Sequence, residues 1–147
     1  MKRLLFLLTL LLFSVSSQAE DIIKEGQEYP IEKIREQNRE IIKMVVEEIS
    51  KKLPQTVDKY TTLKEIKDDN LTLIYSFEIN TDAKNDATVI KEDKPRMEKA
   101  VSKGICQSSK RFLDAGISLK YIYISASSQK NLFSFTMNQT KCKELDL

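Results

Sequence analysis

Histidine and tryptophan are absent from the 147 residues, and there are only three glycines, three prolines and two cysteines. Without histidine there is no imidazole to activate a nucleophile, move a proton or ligate a metal. Three scattered glycines form neither a phosphate-cradling loop nor a dinucleotide fingerprint. No serine stands in a G-x-S-x-G setting, and Ser50 to Leu53 reads Ser-Lys-Lys-Leu rather than Ser-x-x-Lys. Carboxylate pairs occur at Glu47-Glu48, Asp68-Asp69 and Glu92-Asp93. Acid–base work needs two carboxyls converging in one pocket with split pKa values, and adjacency along the chain does not provide that. The nearest thing to a calcium loop, Asp82 to Asp86, has Lys84 among its oxygens and no glycine after it. The expectation is no catalytic residue, no metal site and no cofactor, hence a protein that is not an enzyme.

The chain begins with an address. Met1-Lys2-Arg3 is basic, Leu4 to Phe13 is apolar except for Thr9, and Ser17-Gln18-Ala19 puts small residues where a signal peptidase cuts. That sequence of regions describes a secretory signal peptide over residues 1–19. The apolar run is too short for a bilayer span of about 20 residues. Cleavage removes Lys2 and Arg3, which brings the 24 basic residues level with the 22 acidic ones. A neutral mature chain has no electrostatic basis for general nucleic-acid binding. No second long apolar run follows, so no membrane insertion is expected after cleavage, and no cysteine near the cut offers a lipid anchor. A periplasmic or secreted setting is oxidising, and there the even pair Cys106 and Cys142 reads as one disulfide. Closing a loop of about 35 residues contributes roughly 4 kcal/mol on the chain-entropy model. A redox pair is the alternative, but C-x-x-C spacing is missing.

Periodicity organises the rest. Residues 20–29 are a polar, flexible lead-in, and 30–147 form a single domain. Pro30 suits a helix start. Ile31, Ile34, Ile41, Ile42, Val45, Val46 and Ile49 then recur at spacings of three and four, until Leu53-Pro54 stops the helix. Residues 56–67 have strand composition with imperfect alternation. Leu71, Leu73, Tyr75, Phe77 and Ile79 alternate cleanly with Thr72, Ile74, Ser76 and Glu78. Residues 80–92 read as a polar connection. Asp93 and Pro95 suit a second helix start, with Met97, Val101, Ile105, Phe112 and Leu113 on one side and a stop at Ala115-Gly116. The basic residues Lys91, Lys94, Arg96, Lys99 and Lys103 form either a solvated helix face or a patch for an acidic partner or headgroup. Two further strands cover 117–125 and 132–137. The predicted order is α-β-β-α-β-β. The predicted fold class is α+β, a two-layer sandwich of a four-stranded antiparallel sheet with two helices on one face and one disulfide.

Helices on one face leave the other uncovered. If Leu73, Tyr75, Phe77, Tyr121 and Tyr123 lie under the helices, Ile74, Ile122 and Ile124 face outward. They would present an apolar patch to a protein partner or to a second copy of the chain as a homodimer. The element order, the terminal cysteine and the run Phe112-Leu113-Asp114-Ala115-Gly116-Ile117 are similar to those of small exported bacterial proteins. At the level of fold the order resembles the small C-terminal domains of TolA and TonB. That resemblance implies partner binding across the envelope rather than catalysis. The expected function is an exported, non-enzymatic binding or accessory protein of an envelope assembly or secretion system. The alternatives are an inhibitor or immunity protein against a secreted enzyme or toxin, and a carrier with a ligand between helices and sheet.

Overall fold

The computed structural model describes residues 30–81 and 84–147. The signal-peptide and lead-in readings fall on residues 1–29 and lie outside the described residues. Helix α1 (Ile31–Ser50) starts where Pro30 turns the chain; the Pro30 carbonyl accepts from the Lys33 and Ile34 amides. Its apolar stripe is wider than the core it covers. Ile42 is fully buried and Val45, Val46 and Ile49 are half-buried, but Ile31, Ile34 and Ile41 are exposed.

Strand β1 (Gln55–Thr56) is a two-residue edge on β2 (Thr61–Asp69), which forms a hairpin with β3 (Thr72–Ile79). Asn70 turns that hairpin with φ 55, a left-handed conformation that asparagine tolerates better than most residues. The imperfect alternation of β2 has a cause. A bulge at Lys64 adds one residue, so Leu63 and Ile66, three apart, both reach the inner face beside Phe77 and Tyr75.

After β3 the chain crosses over through α2 (Asp86–Ser108) and the short α3 (Lys110–Asp114) into β4 (Ser118–Ser125), and it returns as β5 (Asn131–Met137). The sheet has five strands in the order β1-β2-β3-β4-β5. β3 and β4 run parallel, with Thr72 opposite Ser118 and Ile79 opposite Ser125. This corrects the expected four-stranded antiparallel sheet and the α-β-β-α-β-β order. The helical crossover carries the chain back to the end where β3 began, and a strand started there must run alongside β3 in the same direction. The α+β class stands.

Helix α2 also begins earlier than Asp93. Asn85 caps it by accepting the Thr88 amide, which makes Val89 a buried helical residue and leaves Pro95 inside the helix. The stop at Ala115-Gly116 is as read. Gly116 has φ 81, and the Ile117 amide reaches back to the Phe112 carbonyl at 2.9 Å. A last helix, α4 (Gln139–Glu144), capped by Asn138, was not foreseen. It carries Cys142, which is bonded to Cys106 of α2 with the Cα atoms 5.6 Å apart.

The core lies between the helices and one face of the sheet. Ile42, Ile66, Leu73, Ile105, Leu119 and Met137 fill one half, around the disulfide. Leu63, Phe77, Val89, Tyr123, Phe133 and Phe135 fill the other. Among the described residues no buried side-chain polar atom lacks a hydrogen-bond partner.

Candidate functional site

The inner face of β3, β4 and β5 is laid out in rows: Leu73, Leu119 and Met137; Tyr75, Tyr121 and Phe135; Phe77, Tyr123 and Phe133. Two-residue alternation in three strands in register makes this grid. Its rings touch in an unbroken series, with centroids 5.1 to 6.4 Å apart.

The two long helices do not roof this grid evenly. α1 packs over β2 and β3, and α2 packs over β5. The strip above β4 lies between them, and there Tyr75 and Tyr121 remain only half-buried. Burial pushes the Tyr75 phenol up to about 12, with Tyr121 adding to the rise, and burial raises Tyr121 as well. Both are neutral at any physiological pH. The floor is therefore aromatic surface without an acid or a base.

Which side chains form the walls follows from helical geometry. On α2, Arg96, Ala100, Gly104 and Ser108 are four apart and share one flank, which borders the open space beside Tyr121 and Met97. A Cβ built on Gly104 would meet nothing within 4 Å. On α1, Lys43 feels the carboxylate of Asp68 on β2, so that flank faces the β2 edge. Ile34, Ile41 and Met44 of the same helix are 40%, 39% and 58% exposed. The α2 flank borders an open trough beside Tyr121. Measured along α2 from Asp93 to Ser108 it is about 22 Å long at 1.5 Å per residue.

Nearer the start of α2 lies a cleft of about 770 Å³, bounded by residues 58–61, the end of β3 and the first turns of α2. Asp93 sits at its edge, bound by Lys84 and by Arg96, each at 3.0 Å. Those cations, Lys84 first, hold its carboxyl below the usual aspartate range. Asp93 is thus a fixed anion inside an ion-pair cluster and not a proton donor. Opposite it, Tyr60 is exposed with the Lys59 ammonium 5.1 Å from its ring centre. No group of acidic or cysteine residues suited to a metal occurs among the described residues. No helix among them is long and apolar enough to cross a membrane.

The residues named from the sequence lie elsewhere. Cys106 and Cys142 are buried, where they tie α2 to α4. Ile74, Ile122 and Ile124 are on the outer face of the sheet. Ile74 is buried between its cross-strand neighbours Lys67 and Lys120, and the other two are half-buried. A network of Lys64–Glu78, Lys67–Glu65 and Ser76–Glu65 contacts shares that face. Sequence reasoning missed the trough. Ile34 and Ile41 had the spacing of core residues, so nothing in the period marked them as exposed. Gly104 was the available signal. A glycine inside a helix costs about 1 kcal/mol against alanine, which points to a position where a side chain is unwanted.

Three solved structures share this fold. One is a candidate secreted protein from Pseudomonas aeruginosa, with TM-score 0.64, 11% identity, and 74% of this chain and 96% of that one covered. Another is EpsS, the pilotin of the Vibrio vulnificus type 2 secretion system, with TM-score 0.61, 16% identity and coverage of 76% and 96%. The third is AspS, the type II secretion system pilotin of Vibrio cholerae, with TM-score 0.60, 17% identity and coverage of 76% and 98%. A comparison with curated protein sequences finds no match. At sequence level residues 36–133, from the middle of α1 to β5, match one family profile, and by that match the chain belongs to the domain family of unknown function DUF8479.

Proposed function

We propose that this is an exported, non-enzymatic accessory protein of a secretion or envelope-assembly apparatus, and that it works by holding a segment of a protein partner in the trough between α1 and α2. The observation that carries this is an aromatic floor left open between two helices. Tyr75 and Tyr121 are half-buried, and Gly104 of α2 borders the open space beside Tyr121. Apolar surface of this extent, lined by polar side chains at its rims, is the usual form of a site for another chain. The fold shared with two type II secretion pilotins supports the class of apparatus. Cleavage of residues 1–19 and a periplasmic location belong to the same reading. The disulfide supports an oxidising compartment.

The outer face with Ile74, Ile122 and Ile124 is the secondary surface in this proposal. It is the place where a second copy or a further partner would attach. A photo-crosslinking residue placed at 41, 108 or 122, in cells of the source organism, tests the assignment. Adducts at 41 and 108 with a component of a secretion or envelope machine are expected. Adducts at 122 alone would move the site to the sheet face. Adducts with a secreted hydrolase or toxin would favour an inhibitor or immunity role instead.

A further inference from the structure

The cleft near the start of α2 is a separate space, and no residue lines both it and the hollow beside Tyr121. Its volume of about 770 Å³ is that of a small-ligand site. Ile79 and Val89, both buried, the half-buried Met97 and the exposed ring of Tyr60 form its apolar lining. Its banks are held in place by the fold. The Asn80 amide donates to the Tyr60 carbonyl at 2.8 Å, and the Val57 and Asp58 amides donate to the Thr61 carbonyl, which ties the 58–61 turn to the sheet. On the α2 bank, Lys84 and Arg96 both bind Asp93.

The charged side chains of the lining are unequally occupied. Both acids are spent within the fold: Asp58 Oδ1 accepts the Tyr60 and Thr61 amides at 2.8 Å each, and Asp93 accepts from Lys84 and Arg96. Lys84 is spent as well, between Glu92 and Asp93. Lys59 is exposed and makes no ion pair among the described residues; its ammonium rests over the Tyr60 ring. Arg96 reaches Asp93 through Nη2, and its side chain is 77% exposed, so the rest of its guanidinium donors stay available. One cation with donors to spare therefore stands on each bank of an apolar cleft.

We propose that this cleft binds a small amphipathic acid, a free molecule with a hydrocarbon body and one carboxylate. The body lies on Val89, Met97 and the Tyr60 ring. The carboxylate stays at the rim and accepts from Arg96 and Lys59. Removing apolar surface from water supplies most of the affinity, and the charged donors select an acid over a neutral head group. Both cations stand in solvent, so that selectivity is modest and shrinks as salt rises.

Decanoate, 1-decanol and decyltrimethylammonium, each below its micelle-forming concentration, test this. Each is titrated into the exported protein while backbone amide NMR signals are followed. Decanoate is expected to shift Thr61, Asn80, Val89 and Met97 and to bind about fivefold more tightly than decanol, with the ammonium weakest. The paired change Lys59→Gln and Arg96→Gln should erase the preference for the acid while leaving decanol binding and the thermal midpoint as they were. Ala100→Phe, at an exposed helix position in the lining, should exclude all three. Equal binding of decanoate and decanol would overturn the carboxylate site. Shifts confined to Gly104, Ser108 and Tyr121, or none with any probe, would overturn the cleft as a ligand site. A peptide with a free C-terminal carboxylate that shifts the cleft amides where decanoate does not would assign the cleft to a chain terminus and overturn the free acid. None of these results bears on the crosslinks at 41 and 108, so the partner-docking reading stands or falls separately.

Discussion

Replacing Gly104 separates stability from binding at a single position. The residue lies in the interior of α2 on the trough wall, exposed, with open space where a Cβ would point. Nothing in the fold needs a glycine there for close approach. Gly104→Ala should therefore recover the helix-propensity difference, about 0.5–1 kcal/mol, with no steric penalty to offset it. For a domain of this size that raises the thermal midpoint by about 2–6 °C. In urea the midpoint should rise with an unchanged slope, since the surface exposed on unfolding is nearly the same. Gly104→Leu carries the argument to function. Leucine is also a better helix former than glycine, so the fold should remain at least as stable. Its branched end enters the trough, and partner capture should fall at least tenfold. Loss of stability in Gly104→Ala would refute the reasoning, because it would mean that the wall is closed at 104. Undiminished capture by Gly104→Leu would mean that the partner does not use this wall.

Removing the disulfide by Cys106→Ala with Cys142→Ala should cost about 4 kcal/mol in urea unfolding, as expected for a cross-link 36 residues apart; a loss under 1 kcal/mol would show that α4 does not depend on it. Deleting Lys64 removes the bulge, so Leu63 or Ile66 must leave the inner face, at a cost of about 2–5 kcal/mol, whereas Lys64→Ala should change little. Unfolding midpoints for the two variants check this, and equal effects would sink it. Asp93 is bound mainly by Lys84, and its pKa is lower folded than unfolded. Its contribution is thus complete above the unfolded value of about 3.9 and lost as pH falls through the folded value. Thermal midpoints from pH 2 to 7 should show a shallower acid decline in Asp93→Asn than in the parent, and identical slopes would exclude Asp93 as a source of that decline.

Several elements were legible because they are encoded locally. α1, β3, β4 and β5 show their own periods, and Gly116 announces its turn. The start of α2 was hidden because residues 80–92 hold one apolar pair, Val89-Ile90, in a polar run. The cap at Asn85 is a single oxygen accepting a single amide. α4 is six residues long, too short to display a period, and only Asn138 marks it. The direction of β4 could not be read from its residues. Alternation assigns Leu119, Tyr121 and Tyr123 to one face whether the strand runs up or down. Direction depends on where α2 leaves the chain, a property of helix length and of the right-handed crossover.

The sequence by itself determined composition-level chemistry and local form: no imidazole, one cysteine pair, two amphipathic helices, and strands whose aromatic residues share a face. Tertiary structure alone decided the parallel pairing of β3 with β4, the partner helix of the disulfide, and the trough. The physical reason is that periodicity records which side chains an element turns away from water, and not which neighbour covers them. Ile42 and Ile41 look alike in the sequence. One is sealed over the sheet and the other is open to solvent, because α1 turns only one side toward β2 and β3.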